Sequence, residues 1–382
     1  MSADNSCPDV SIPLRNLLNS VQCIRDRVKD GESNESSGGF NLQNFWDTLS
    51  QAVKAASQEA TKLSLSFSKP PLPSPQDCER LAESIQKSVL ALSTVYYWLP
   101  KSQGMTLRRV VRDATAAVLD GLVQLIDVIL SSPLQSLSQE QLTSTGGVWL
   151  SCDRFPHLPR DNQAAVLDIL VSCTAVVKDA IEEMEQAQAE SQDPFSDVLE
   201  EEDLVSRGNQ DTYWSESDRQ LMSPCRGLMK ASAACLKKLS AAVRANGNVD
   251  TAESIAQLDD LADIAKEVSP SVDDLALSLY PPMDHSAVEL NAVSCLVWTG
   301  IKFDSLCVPH SVDDLALSLY PPMDHSAVEL NACRLASVVK KVLEIARASH
   351  VCMEAEQGWV QFLNGAVDHN LQKAKTLAQA CH

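Results

Sequence analysis

Twelve cysteines, seven histidines and fifty-one carboxylates are the side chains of this chain best able to hold a metal, attack a substrate or move a proton. Their spacing serves none of these ends. No two cysteines stand as CxxC, and the histidines, among them His157, His285, His325, His350 and His369, do not fall at ligand spacing, so a zinc set is not assembled. The chain has no Walker-type or dinucleotide glycine loop to cradle phosphate and no GxSxG nucleophile elbow. Carboxylates are so numerous that any pair could be named acid and base, which means the sequence names none. No catalytic, cofactor-binding or metal-binding residue is assigned, no cofactor is expected, and the chain reads as a non-enzyme.

The cysteines read as reduced thiols, because they are scattered through 382 residues and the start, MSADNSCPDVSIPLRNLL, lacks the basic and apolar regions of an export signal. Cys173 in ILVSCTAVV and Cys235 in ASAACLKKL have apolar neighbours, where a thiol packs as a small hydrophobe. No window approaches the roughly 20 uninterrupted apolar residues of a membrane span. The expected place is therefore the cytosolic side.

A net charge of −20 disfavours nucleic acid and anionic membranes, both of which require a basic footprint. The basic clusters are short. Leu107 to Arg112 (LRRVVR) and Cys235 to Arg244 (CLKKLSAAVR) have helical spacing and read as solvated helix faces.

The elements that carry these residues are helices, since the composition is rich in Ala, Leu, Val, Gln, Glu and Lys and poor in aromatics. Helical periodicity runs over about 12–29, 42–68 and 75–99, the last with Ser74 as N-cap, Pro75 in the first turn and Asp77 at the positive end of the helix dipole. Thr106 reads as the cap of a helix whose apolar stripe includes Val110, Ala114, Val118, Leu122, Leu125 and Ile129. Ser138 opens a short helix that ends near Gly146 and Gly147, and Asp161 caps a long one to Glu190. Within that helix Leu167, Leu170, Thr174, Val177, Ile181 and Met184 alternate in steps of three and four. So short a heptad run fits a bundle seam better than a leucine zipper. Further helices are expected after Ser215, through Pro224 to Ala245, from Asp250 to Val268, from a Ser269–Pro270 start holding Val272, Leu275 and Leu279, and twice more before the C-terminus.

From Asp179 to Asp203 there are eleven carboxylates and no basic residue. That block reads as a domain boundary and first of all as a solvated spacer; the sharper reading is an acidic docking strip over 182–203 for a basic partner surface, or a segment that keeps nucleic acid away. The expected organisation is an N-terminal helical bundle over 1–190, an acidic linker over 191–212 and a C-terminal helical bundle over 213–382. Trp214, beside the acidic stretch, is the aromatic residue to test as an exposed anchor; Leu275, Leu279 and Tyr280 read as core.

The segment SVDDLALSLYPPMDHSAVELNA occurs twice without a difference, at 271–292 and 311–332. Between the copies lies an insert, 293–310, rich in β-branched and aromatic residues without helical period. Splice-donor and acceptor sequences can encode its two ends, so transcripts joining Ala292 directly to Cys333 are expected. If both copies are translated they compete for one place in the bundle. The second is expected to run on into CRLASVVKKVLEI, with connection lengths deciding between them.

The landmarks TVYYWLPKSQGMTLRRVVRDAT, LPRDNQAAV, DTYWSESDRQL and SPSVDDLALSLYPPM, in that order, resemble the cyclin-D-binding protein family, also called GCIP. The resemblance covers most of the chain, with the insert and second copy departing from it. It implies an all-α fold of two antiparallel bundles of about five helices each, of the vinculin and α-catenin type. It also implies a cytoplasmic and nuclear negative regulator of the cell cycle, which binds D-type cyclin and restrains phosphorylation of the retinoblastoma protein. Sequestration of helix-loop-helix transcription factors, without contact to nucleic acid or membrane, is a further implication. The competing reading is a vinculin-like cytoskeletal or scaffold adaptor, since fold does not settle function.

Overall fold

The computed structural model describes residues 10–31, 39–131, 138–190, 214, 216–279, 323–354 and 357–380, and every regular element among them is helical. The α-helices are α1 (Ser11–Asp30), α2 (Leu42–Ser66), α3 (Pro75–Trp98), α4 (Met105–Ser131), α5 (Gln139–Asp153) and α6 (Asn162–Glu190). They continue with α7 (Glu216–Asn246), α8 (Ala252–Lys266), α9 (Val268–Ser278), α10 (His325–Ala348) and α11 (Gln357–Ala380). Contacts divide the chain into two units, Met1–Val166 with Asn248–Asp259 and Leu167–Gly247 with Asp260–His382. The stretch 191–212, where composition places a linker, lies outside the described residues.

In the first unit α2 packs on α3 and α5, and α1 and α5 pack on α4. Phe45, Leu49, Phe67, Tyr96, Leu107 and Leu119 are fully buried between them. The stripe on α4 is buried as its spacing predicts, with Val110 half-buried at the margin. By length and composition α4 is apolar enough to cross a bilayer, which the sequence reading missed. Its apolar side chains are instead packed against neighbouring helices. In the second unit α7 packs on α11, and α10 packs on α9 and α11.

Local signals hold where the cap is local. Ser74 Oγ accepts from the Asp77 N–H at 3.2 Å, Ser138 Oγ from Gln141 N–H at 3.1 Å, and Asp161 Oδ1 from Ala164 N–H at 2.8 Å. They fail where a distant residue does the work. Thr106 is not the cap of α4: the Met105 and Thr106 N–H groups donate to the carboxylate of Asp259 on α8 at 2.8 and 2.9 Å. The Leu107 N–H donates to Asn162 Oδ1 at 2.9 Å, and Asn162 Nδ2 donates to Asp259 at 3.0 Å. An ionised carboxylate at the positive end of a helix satisfies more donors than one hydroxyl does. Gly104 makes room for this cap, because at φ 106° it takes a conformation other residues avoid, and a Cβ there would come within 2.0 Å of Asn162 Cγ.

Two further expectations are corrected by packing. α5 does not stop at Gly146 and Gly147 but runs to Asp153, because Val148 and Cys152 are buried beyond them. Val148 sits so close to α4 that a Cβ on Gly121 would lie 3.2 Å from its Cγ2. The LRRVVR cluster is not wholly solvated either. Arg108 is 2% exposed, and its guanidinium donates to the carbonyls of Leu99 and of Gly31, the latter at 3.2 Å, while lying 4.8 Å from the centre of the Tyr96 ring. It thus joins the C-terminal ends of α1 and α3, where carbonyls lack intrahelical partners. Burial lowers its pKa and raises that of Tyr96, yet a guanidinium starts high enough to stay charged.

The described part of the first copy, through Leu279, forms most of α9, and the described part of the second, from Met323 to Ala332, opens α10 and continues into the CRLASVVKKVLEI helix as expected. The remainder, 280–322, lies outside the described residues. Because the copies are identical, deleting 293–332 or 280–319 yields one and the same sequence, in which every described residue has a counterpart. That shortened chain is expected to unfold in urea at the parent's midpoint or above it, since it keeps a counterpart of every described residue; a lower midpoint would show that the removed stretch contributes to the fold.

Candidate interaction surface

The heptad seam of α6 is the first candidate, and the structure spends it internally. Leu170 and Val177 are 0% exposed, Ile181 and Met184 are buried, and Leu167 and Thr174 are half-buried. The ion pair Lys230–Glu185 at 2.7 Å and the hydrogen bond from Arg226 to Gln188 at 2.9 Å hold this helix to α7. Hydrogen bonding to Lys230 keeps the Glu185 carboxyl below its usual pKa. In the described part of the acidic strip, Glu182 and Glu183 stay exposed. Asp273 on α9 titrates above its ordinary range, raised first by burial and then by the carboxylates of Asp274 and Glu183. The rest of the strip, 191–203, lies outside the described residues.

Trp214 is not an exposed anchor. It is 2% exposed and its indole N–H donates to the Leu279 carbonyl at 2.8 Å, because a buried indole requires an acceptor and the end of α9 offers one. Leu275 and Leu279 are core, as expected, and Tyr280 lies outside the described residues. One turn along from Trp214, the His325 imidazole N–H donates to Asp218 Oδ1 at 2.6 Å, a contact that periodicity could not reveal across 107 positions.

A surface that the sequence reading missed lies on α5 and α2. Polar contacts, two of them buried, fix the two helices side by side and antiparallel. Gln141 Nε2 donates to the Ser64 carbonyl at 2.8 Å, Thr145 Oγ1 to Ser64 Oγ at 2.9 Å, and Trp149 Nε1 to Thr61 Oγ1 at 2.9 Å. Outward from this seam point Leu142 (53% exposed), Trp149 (44%) and Leu150 (71%) on α5, beside Leu65 (66%) on α2. Positions 142, 146, 149 and 150 share one helix face, and Gly146 leaves that face flat at its middle. The signal was present in Val148-Trp149-Leu150: with about 3.6 residues per turn, three consecutive apolar residues cannot all face the core. A helix ended at Gly146 and Gly147 leaves that signal outside it. Such a strip is suited to association. The nearby Cys152 thiol is pushed up to about 11 by burial, far from a thiolate at neutral pH.

Comparison with known proteins gives two family matches. "Grap2 and cyclin-D-interacting, N-terminal" matches residues 48–190, and "Grap2 and cyclin-D-interacting, C-terminal" matches residues 196–296. A protein of Danio rerio named Cyclin-D1-binding protein 1 homolog is 60% identical over 382 residues, covering 100% of this chain and 99% of its own. The Xenopus laevis protein of the same name is 52% identical over 367 residues, with 96% and 98% covered. The Homo sapiens Cyclin-D1-binding protein 1 is 40% identical over 380 residues, with 96% and 93% covered.

Proposed function

The chain belongs to the Grap2 and cyclin-D-interacting family, and from that membership we propose that it is a non-enzymatic negative regulator of the cell cycle that binds D-type cyclin. In this reading it works in cytoplasm and nucleus, restrains phosphorylation of the retinoblastoma protein, and so limits the transcription which that protein controls. The observation that carries the proposal is near full-length identity to proteins named for cyclin-D1 binding. Sequestration of helix-loop-helix transcription factors is the finer part of the reading. It too has to rest on the folded exterior, because pairing through the α6 seam would empty the core of the second unit.

The strip formed by Leu65, Leu142, Trp149 and Leu150 is the surface best suited to cyclin, since clustered apolar side chains with an aromatic residue among them dominate binding energies at interfaces. Titration of purified chain with a D-type cyclin tests this. Leu65→Glu with Leu150→Glu is expected to weaken binding at least about tenfold, while each exposed site changes stability by only about 0.5 kcal/mol. Undiminished binding moves the contact elsewhere. Capture of actin or junction proteins with no cyclin would favour the adaptor reading over the regulator.

A further inference from the structure

Charge is unevenly spread over this acidic chain. From Arg219 to Gly247 there are six basic residues and no carboxylate, and from Leu330 to Met353 four basic residues and one carboxylate, although the whole chain has a net charge of −20. These stretches take in most of α7 and of α10, and both helices pack on α11, whose first part, Gln357 to Val367, has no charged residue. An uncharged stretch of helix is thus bordered by two basic helices.

Register brings two of the basic residues to the same level. Gly227 of α7 meets Asn370 of α11 so closely that a Cβ there would come within 2.1 Å of Asn370 Oδ1, and Asn246 Nδ2 at the end of α7 donates to the Val351 carbonyl at 2.8 Å, just before α11, so the two helices are antiparallel. Lys238 stands eleven positions after Gly227. Eleven residues make three turns, so Lys238 keeps the edge of α7 that faces α11 and comes level with Trp359. On the other side Lys340 of α10 pairs with Asp368 of α11. Between these two helices lies a cleft of about 290 Å³, lined by Glu344 and Arg347 and by the amides of Gln357 and Gln361, above the buried Leu343 and Val360. Asn370 and the cleft amides fall on opposite flanks of α11, so Lys238 and Arg347 straddle its first turns. Both are exposed, and neither is in an ion pair with a described residue.

What stands between the flanks is apolar and bare. Phe362 is 73% exposed, and one turn along the same outer face Gly365 has open space where a Cβ would be. Glycine weakens a helix interior, and no packing among the described residues requires this one. An exposed aromatic side chain beside a flat stretch, with cations at both borders, has the layout of an interface with a central anchor and a charged rim.

We propose that this face of α7, α10 and α11 is a docking surface for an acidic amphipathic helix of a partner protein, which lays its apolar side on Phe362 and its bordering carboxylates toward Lys238 and Arg347. A nucleic acid fits less well, because it presents charge along its whole length to a chain of −20 and to Glu344 in the cleft.

Fluorescence anisotropy of a labelled helical peptide of Glu, Ala and Leu, with its leucines on one face, titrated with the full chain is the test. Binding is expected, and salt should weaken it. It should fall at least about tenfold in Lys238→Glu with Arg347→Glu and about fivefold in Phe362→Ser. Lys54→Glu with Arg80→Glu makes the same change of net charge at exposed sites on α2 and α3 and should leave binding unchanged. Urea midpoints near the parent's show that the variants are folded; should the Lys238 and Arg347 glutamate pair lower the midpoint, Lys238→Gln with Arg347→Gln takes its place, with a smaller loss of binding expected. Absence of binding by the parent, or a loss in the control pair as large as in the first pair, overturns the proposal. So does a single-stranded oligonucleotide that binds as tightly as the peptide, which would make the surface a reader of polyanions.

Discussion

Val177→Asp is expected to unfold the second helical unit, and the cyclin contact proposed on α2 and α5 of the first unit does not depend on this seam. Val177 is 0% exposed, between Leu170 and Met184 on the buried face of α6. Placing an ionised carboxylate there without a partner, and losing the valine's burial, costs about 4 kcal/mol or more. That is a large part of the roughly 5–15 kcal/mol by which a domain is stable. Val176→Asp is the matched control. Val176 is 41% exposed, and its substitution should shift stability by only about 0.5 kcal/mol. Helicity on heating and cyclin binding, measured on both variants, separate two roles for one seam. A Val177→Asp chain that stays folded but no longer binds would restore the zipper; loss of helicity in Val177→Asp and not in Val176→Asp places the seam in the core.

Arg108→Ala should be the most damaging change in the first unit, at about 3–4 kcal/mol. The substitution leaves the carbonyls of Leu99 and Gly31 without this donor and removes the cation from the face of Tyr96. Each buried acceptor left unsatisfied costs about 1–3 kcal/mol, and the ring contact adds about 1 kcal/mol or more when desolvated. Arg108→Lys keeps the charge but presents one compact ammonium in place of a planar fork, so it should recover only about half the loss. Thermal and urea unfolding of the two variants decide the matter. Equal stability of the alanine variant and the parent would mean that Arg108 bridges nothing of consequence.

The legible parts of this chain were those governed by neighbours in sequence. Serine and aspartate caps at 74, 138 and 161, the apolar stripe of α4 and the core thiols Cys173 and Cys235 were found because period and capping act within a few residues. Burial alone raises the Cys235 thiol to about 12, in keeping with the hydrophobic role read for it. Trp214, Arg108 and the cap of α4 escaped, and for one reason. Each is set by a hydrogen bond to a group far along the chain: the Leu279 carbonyl, the Gly31 carbonyl and the Asp259 carboxylate. The motifs that carried the family resemblance contain Gly104, Arg108, Asn162, Trp214 and Asp218, all of which take part in such contacts. A buried polar partner restricts the residue type more tightly than exposure does, which makes those stretches recognisable before their contacts are known.

By itself the sequence determined that the protein is helical, acidic and akin to cyclin-binding proteins, because composition, period and motif are local properties of a chain. The tertiary structure decided which apolar residues are free. Leu167 to Met184 and Leu142 to Leu150 both look amphipathic in one dimension, yet the first is consumed by its neighbours and the second keeps an exposed strip beside Leu65. Among the described residues it also placed Ser271–Leu279 of the first copy in and beside α9 and Met323–Ala332 of the second at the start of α10, although a segment repeated without change carries the same side chains twice.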